Sequence, residues 1–352
     1  MISPIPRDTD ELRRRSIDPA RIAGVSPVVF DDADRRGVRA LQVRNATGLG
    51  LTLIPDRGLD ASELLFGGVP LTWYGPGNAA PSSSLDPSVD AFARTFFGGL
   101  VTTCGMDAFG PPGHDRWGAW PQHGHFNHLA ARDVRYGTIG EGPAATIEVT
   151  GTVLQFAMFG AALRIERTWT IGMHENTVAL HDRVCNDGGS AQPHMVLYHC
   201  NVGWPMLDEQ THWRVDASHS SPRDEVAARA FDQRFLGGPP QPAFAEEVYV
   251  HTPLAGDDGW ARATAINGRL QGGLALTLAY QPAQLPALFS WRMLGYGTYV
   301  MAVEPANCAN VRGRAAAADD RTLPMLEAGE ARDYALRFSV DATGPGNAIH
   351  GA

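Results

Sequence analysis

The chain has 352 residues, 44% of them hydrophobic and 19% charged, with a formal net charge of −9; that balance excludes a disordered or fibrous chain and leaves ample material for a core. The acidic excess argues against a nucleic-acid partner, because polyanion binding relies on basic surface that releases counterions. No apolar run approaches the roughly 20 residues of a membrane-spanning helix, and Cys104, Cys185, Cys200 and Cys308 are scattered singly, which fits neither a disulfide framework nor a zinc knuckle.

The N-terminal segment MISPIPRDTDELRRRSID is punctuated by proline and charge and has no apolar stretch of the secretory kind. It predicts a short helix over residues 8–16 within an N-terminal arm spanning residues 1–30, and a cytoplasmic location. Strands follow at RALQVRN and GLTLIPD, and then a Pro/Ser-rich loop from Gly75 to Asp90 runs into a short helix near Ser88 to Arg94. In LRIERTWTI, Leu163, Ile165, Arg167, Trp169 and Ile171 alternate with polar residues, and NTVALHDRVCN repeats the period of two. Turns at MHEN and NDGGS make residues 144–202 read as a meander of antiparallel strands. Further strands are expected at EEVYVHT, RATAING, LALTLAY, TYVMAVE and DYALRFSV. Many strands with almost no amphipathic helix predict an all-β fold, a large antiparallel sandwich forming one domain over residues 1–352.

Four stretches place ionisable residues where strands meet loops. IPDRGLD holds Asp56, Arg57 and Asp60 around a glycine, a pattern a charged hairpin turn would also give. WPQHGHFNHLAA concentrates His123, His125 and His128; an extended His-x-His puts two rings on one strand face, which suits either a metal or a pair of sugar hydroxyls. In VLYHCNVGWPML, His199 ends an apolar strand, with Asn201 on the same face if the strand continues. YVMAVEPANC ends an apolar strand in Glu304, followed by Pro305 and Asn307. A carboxylate there is costly to bury unless it is paired or used. A histidine and a glutamate at the ends of separate strands suit general acid/base work, where burial brings both groups toward neutrality.

Taken in order, FFGGLVTTCGM, HGHFNH, VLYHCNVGWPML, EEVYVHTPL and AVEPANC resemble the aldose 1-epimerase (galactose mutarotase) superfamily, and more closely its DUF4432 branch. The resemblance implies the β-supersandwich of those enzymes with a sugar cleft across one face. It implies Glu304 as the base that takes the anomeric hydroxyl proton and His199 as the acid that protonates the ring oxygen, with no cofactor. It also implies substrate contacts at His123 or His125, at Asn201 and Asn307, and at Glu246 or Glu247 with His251 beyond. Where mutarotases carry an arginine after the Phe-Gly strand, this chain reads TTCGMD; Arg57 is the candidate replacement. The expected partner is a small carbohydrate, with neither nucleic acid nor membrane, and no feature bears on oligomeric state. No Lys/Arg cluster stands out among the cleft segments, which favours a neutral sugar over a phosphosugar. Two other readings stand beside the anomerase: a metal-assisted lyase, isomerase or hydrolase of oxidised sugars, with His123 and His125 as ligands, and a non-catalytic sugar-binding module in which Trp73, Trp204 and Trp291 stack on sugar faces.

Overall fold

A computed structural model describes residues 9–75, 91–158 and 160–343. The chain opens with helix Thr9–Arg15 (α1) and a five-stranded sheet, Gly24–Val29 (β1), Arg39–Arg44 (β2), Leu49–Ile54 (β3), Asp60–Phe66 (β4) and Val69–Pro70 (β5). Helix Ala91–Thr95 (α2), strand Thr102–Cys104 (β6) and the hairpin Gly113–Asp115 (β7) and Gly118–Trp120 (β8) come next. They are followed by Arg132–Ile139 (β9), Thr146–Phe156 (β10), Ala162–Gly172 (β11), Thr177–Asn186 (β12), Gln192–Pro193 (β13), Leu197–Gly203 (β14), His212–Val215 (β15) and Ala217–Pro222 (β16). After helix Glu225–Arg229 (α3), the chain forms Glu247–Pro253 (β17), Ala261–Asn267 (β18), Leu274–Tyr280 (β19), Ala287–Gly295 (β20) and Thr298–Ala306 (β21). Helix Arg314–Asp319 (α4), Met325–Leu326 (β22) and Ala331–Ala342 (β23) complete it. The described part of the second expected helix is Ala91–Thr95; most of the Gly75–Asp90 loop lies outside the described residues.

Two large antiparallel sheets dominate, and the fold is the all-β sandwich expected. The eight-stranded sheet runs β15-β18-β19-β23-β12-β11-β10-β9, and the six-stranded sheet runs β16-β17-β20-β21-β14-β6. In β10 and β11 burial alternates residue by residue, so Ile147, Val149, Val153, Ile165 and Trp169 enter the core while their neighbours face outward. The expected meander holds from β10 through β12 and then breaks. The free flank of β12 is taken by β23 from the far end of the chain, and β14 crosses to the other sheet between β21 and β6. The reason is visible in the strand's chemistry. All seven residues of β14 are buried, which a strand with one wet face cannot satisfy. Tyr198, Cys200 and Val202 point into the core between the sheets, while Leu197 and His199 point the other way. The four cysteines are buried free thiols. Among the described residues no helix is long and apolar enough to cross a membrane.

One buried ionic cluster ties the sheets together. Arg167 of β11 donates to Asp182 of β12 at 2.8 and 2.6 Å, to Asp60 of β4 at 2.5 Å and to Thr103 Oγ1 of β6 at 2.8 Å. Tyr198 of β14 donates its hydroxyl to Asp182 at 2.8 Å, and Asp60 accepts from the Thr103 amide at 2.8 Å. Arg167, Asp60 and Asp182 are all at most 1% exposed. Asp56 and Asp60 of the IPDRGLD turn thus part company, Asp56 pairing with exposed Arg39 and Asp60 entering the core. Removing one member of such a cluster leaves uncompensated buried charge, so Arg167→Met is expected to cost about 3–5 kcal/mol, read as a lowered urea midpoint; a loss within about 0.5 kcal/mol, the range of a surface substitution, would contradict this account.

Candidate active site

The outer face of the six-stranded sheet floors a cavity of about 940 Å³. Its floor alternates by the period of two: Val248 from β17, Phe289, Trp291 and Met293 from β20, Glu304 from β21, and Leu197 and His199 from β14. The register that pairs Leu197 with Ala306 and Cys200 with Val303 sets His199 directly across from Glu304. Their side chains meet, His199 Nε2 lying 3.3 Å from Glu304 Oε1, and both are nearly buried. Trp73, Phe92, Phe96 and His123 roof the pair. Phe96 and Trp291 present ring edges to the His199 ring at centroid distances of 4.9 and 5.4 Å, and Phe92 covers His123 at 4.5 Å.

This apolar roof sets the protonation of the pair. Burial pushes the Glu304 carboxyl up to about 8; the Glu246 carboxylate adds to the rise and Arg223 opposes it. Burial pushes the His199 imidazole down to about 3, with His123 adding to the fall and Asn201 opposing it. At neutral pH the pair therefore holds one proton, resting on Glu304 beside a neutral imidazole. His123, 6.4 Å from His199 between ring centroids, is pushed down to about 4 by burial, and its Nδ1 has no hydrogen-bond partner among the described residues.

Known proteins share this architecture. Residues 35–340 match the model of a family described as a domain of unknown function, DUF4432. The chain belongs to the DUF4432 family. Its fold is shared with a Klebsiella pneumoniae protein provisionally named an aldose 1-epimerase, at TM-score 0.83 and 20% identity over 90% of this chain and 83% of that one. It is shared also with a galactose mutarotase-like protein from Clostridium acetobutylicum, at TM-score 0.62 and 11% identity over 92% of this chain and 100% of that one. A galactose 1-epimerase from Lactobacillus acidophilus aligns at TM-score 0.58 and 13% identity over 92% and 100% of the two chains. No curated protein matches the chain significantly.

In this DUF4432 protein His199, Glu304 and His123 converge, and the other expected contacts go elsewhere. Arg57 is fully buried and lies outside the cleft: Nε donates to Asn127 O at 2.6 Å, and Nη2 donates to Thr95 O and the Asn127 side chain. It holds the end of α2 against the 126–128 turn, and burial lowers its guanidinium to about 10. The HGHFNH stretch is not extended. His123 has φ +59° and Gly124 φ +76°, and a Cβ at Gly124 would collide with the carbonyl oxygens of Gly105 and Ala108. The turn separates the two rings, so His123 lines the cavity while His125 and His128 do not. Among the described residues no three His, Cys, Asp or Glu side chains gather as a metal site would require.

Asn201 does not line the cavity but lies buried beside His199, its amide donating to Gly99 O and His199 O at 3.2 and 2.8 Å. Asn307 does not line the cavity and instead pins the segment leading into β14, accepting from Val196 N at 2.9 Å and donating to His194 O at 2.9 Å. Glu247 and His251 face away from the cleft. Glu247 pairs with Arg292 at 2.8 Å and accepts from Tyr249, and His251 sits between Ser220 and Ser290. Strand parity makes the difference, because Glu246 shares the face of Val248 and lines the cleft, where it accepts from Trp291 Nε1 at 3.1 Å and Arg223 at 2.9 Å. Of the tryptophans, Trp73 and Trp291 line the cavity and Trp204 lies on the surface, 71% exposed. Arg223 and Arg312 also line it, against the expectation of a cleft without cations.

Since the folded state holds the Glu304 proton up to about pH 8 and an unfolded chain releases it near 4.5, the native state binds more protons between those values and its stability falls across them. Glu304→Gln lacks that penalty. Its stability relative to the parent is expected to rise with pH from about 4.5 to 8, by at most about 1.4 kcal/mol per unit, and to level off outside that window. Parallel denaturation series at several pH values read the difference directly; a difference independent of pH would contradict a protonated Glu304.

Proposed function

We propose that this protein is a carbohydrate epimerase that interconverts the anomers of an aldose by opening and reclosing its ring. The reading is carried by one observation, the Glu304–His199 contact of 3.3 Å on the floor of an aromatic cleft. In a cyclic hemiacetal the hydroxyl oxygen and the ring oxygen are bonded to the same carbon. Two proton-exchanging groups side by side match that pair of oxygens. The mutarotase-like neighbours share the fold, and their names support the same reaction class.

The chemistry needs no net proton change. With the proton on His199, Glu304 as carboxylate accepts the anomeric hydroxyl proton while the imidazolium delivers its own to the ring oxygen, and the C1–ring-oxygen bond breaks. The pair now has its proton on Glu304 and a neutral His199, the distribution that burial favours in the free protein. Rotation about C1–C2 presents the other carbonyl face. Closure then returns a proton from Glu304 to the carbonyl oxygen while His199 takes the proton of the attacking hydroxyl. Closure thus leaves the proton on His199, ready for the next hemiacetal, and in the free protein it returns to Glu304 across the 3.3 Å contact. His123 and Glu246 serve as hydroxyl contacts, and Trp73 and Trp291 offer faces for the apolar side of a sugar ring.

NMR saturation transfer between α and β anomers tests the reading across a panel of aldoses. Glu304→Gln and His199→Asn are each expected to lower kcat by about a hundredfold to ten-thousandfold; unchanged exchange in both variants would overturn the assignment, and retained sugar binding without any exchange would favour the binding-module reading. The shared proton gives a second outcome. Exchange is expected to be flat through neutral pH and to fall above about pH 8 as Glu304 ionises beside a neutral imidazole, measurable as kcat/KM against pH; a rise above pH 8 would exclude the one-proton pair.

A further inference from the structure

We propose that the substrate is an anionic aldose, a sugar bearing a carboxylate or phosphate away from its anomeric carbon, recognised by Arg312 together with Arg223. This rests on the anomerase reading of the same cleft and adds the class of sugar to it. Both arginines line the cavity, from different walls. Arg223 directly follows β16, the edge strand of the sheet, and Arg312 sits in the loop between β21 and α4, beside the Gly110–Pro112 segment.

Neither guanidinium is used up by its protein partners. Arg312 gives only Nη2 to Asp320, at 2.7 Å, and among the described residues its Nε and Nη1 have no hydrogen-bond partner; its side chain is 66% exposed. Arg223 spends Nε on Asp224 at 2.8 Å and Nη2 on Glu246 at 2.9 Å. A guanidinium carries five donors in a fixed fork, so each has capacity left for an oxyanion.

The frame around Arg312 is rigid. Asp320 also accepts from Asn310 at 2.9 Å, and Asn310 accepts from the Arg312 amide at 3.2 Å, which orients the fork. Gly110 and Gly313 pack so closely that a Cβ on either would strike the other segment, which locks the Arg312 loop to the cleft wall. Buried Arg314, bridging Asp107 and Asp115 at 2.9 and 2.8 Å, pins the same wall.

Charge and size point the same way. At neutral pH Glu304 is a neutral acid, so Glu246 is the one anion lining the cavity among the described residues, set against two cations. Asp224 and Asp320, which pair with the two guanidiniums, do not line the cavity, so the unused N–H donors of Arg223 and Arg312 are what a ligand would meet. The volume of about 940 Å³ lies at the upper end of the roughly 300–1,000 Å³ range of small-molecule sites, which leaves space beyond a single sugar ring.

The test compares anomer exchange of glucose and galactose with that of their 6-phosphates and their hexuronates, and with a neutral reducing disaccharide, in the parent and in Arg312→Gln. Phosphate and carboxylate arms separate the two sources of negative charge. The expected result is a kcat/KM for at least one anionic series about tenfold or more above its neutral counterpart, a preference that shrinks with added salt, and a ratio that falls about tenfold in Arg312→Gln. Equal or better exchange of a neutral sugar or disaccharide, or a ratio unchanged in Arg312→Gln, would overturn the inference while leaving the anomerase reading in place. If no sugar shows accelerated exchange, the anomerase reading fails, and calorimetric binding of the same panel decides the ligand class by itself. Preferential binding of the anionic sugars, weakened in Arg312→Gln, would sustain it; absent or non-discriminating binding would overturn it.

Discussion

The guanidinium of Arg167 is the constraint on which the rest of the structure depends. It is buried where three sheets meet, and its charge is retained there because Asp182 and Asp60 more than offset the cost of burial. Three sheets supply the cluster: β4 contributes Asp60, β12 contributes Asp182, β6 contributes Thr103, and β14 contributes Tyr198, which donates to Asp182. An ionic cluster satisfied on every side tolerates little displacement, since any shift exposes an unpaired charge to a low-dielectric interior. Tyr198 is the chain neighbour of His199. The hydrogen bond that holds Tyr198 from the core side therefore also sets the position of the imidazole on the cleft side, one residue and one strand face away.

That arrangement explains why the His199–Glu304 pair sits on sheet strands instead of loops. His199 and Glu304 are cross-strand neighbours of β14 and β21, and both strands are anchored in the core by their alternate residues, Tyr198, Cys200, Met301 and Val303. A sheet that is covered on both faces can hold two ionisable groups in contact without water between them. Trp73, Phe92 and Phe96 cover the pair with apolar rings, and a Cβ at Gly203 of β14 would strike the Trp73 backbone, so that glycine lets the roof lie close to the sheet. Dry surroundings then favour the uncharged form of each group, which is why the pair carries one proton.

Much of the scaffold was legible in the sequence because strand periodicity is local. The alternation in LRIERTWTI and NTVALHDRVCN appears as alternating burial in β11 and β12. His199 and Glu304 were legible for a different reason, as polar residues closing apolar strands whose order along the chain resembled a known family. What sequence could not show was set by long-range geometry. The partner of β12 comes from residues 331–342, so the meander was extended one strand too far. Glu246 and Glu247 are adjacent letters, and only strand parity decides which one meets the cleft. Arg57 and Asn307 have the residue types of ligand contacts, yet buried carbonyls claim them. Arg223 and Arg312 carried no motif at all and are far apart in sequence; they share a cleft only because the β16–β17 edge and the loop after β21 flank one sheet.

The division between floor and walls bears on how such a site diverges. The floor is built from strands whose opposite faces make the core, so a change there is paid for in packing and in the register that joins His199 to Glu304. The walls, by contrast, come from connections: the 109–112 segment, the 122–123 turn, the strand-edge pair Arg223 and Glu246, and the loop that carries Arg312. Loops over a rigid scaffold accept substitution more readily than paired strands do. Absence of an arginine after the Phe-Gly strand, where TTCGMD begins β6, then has a physical sense. In this chain β6 is tied into the core through Thr103 and Asp60, and the positive charge facing the cavity is supplied from its walls.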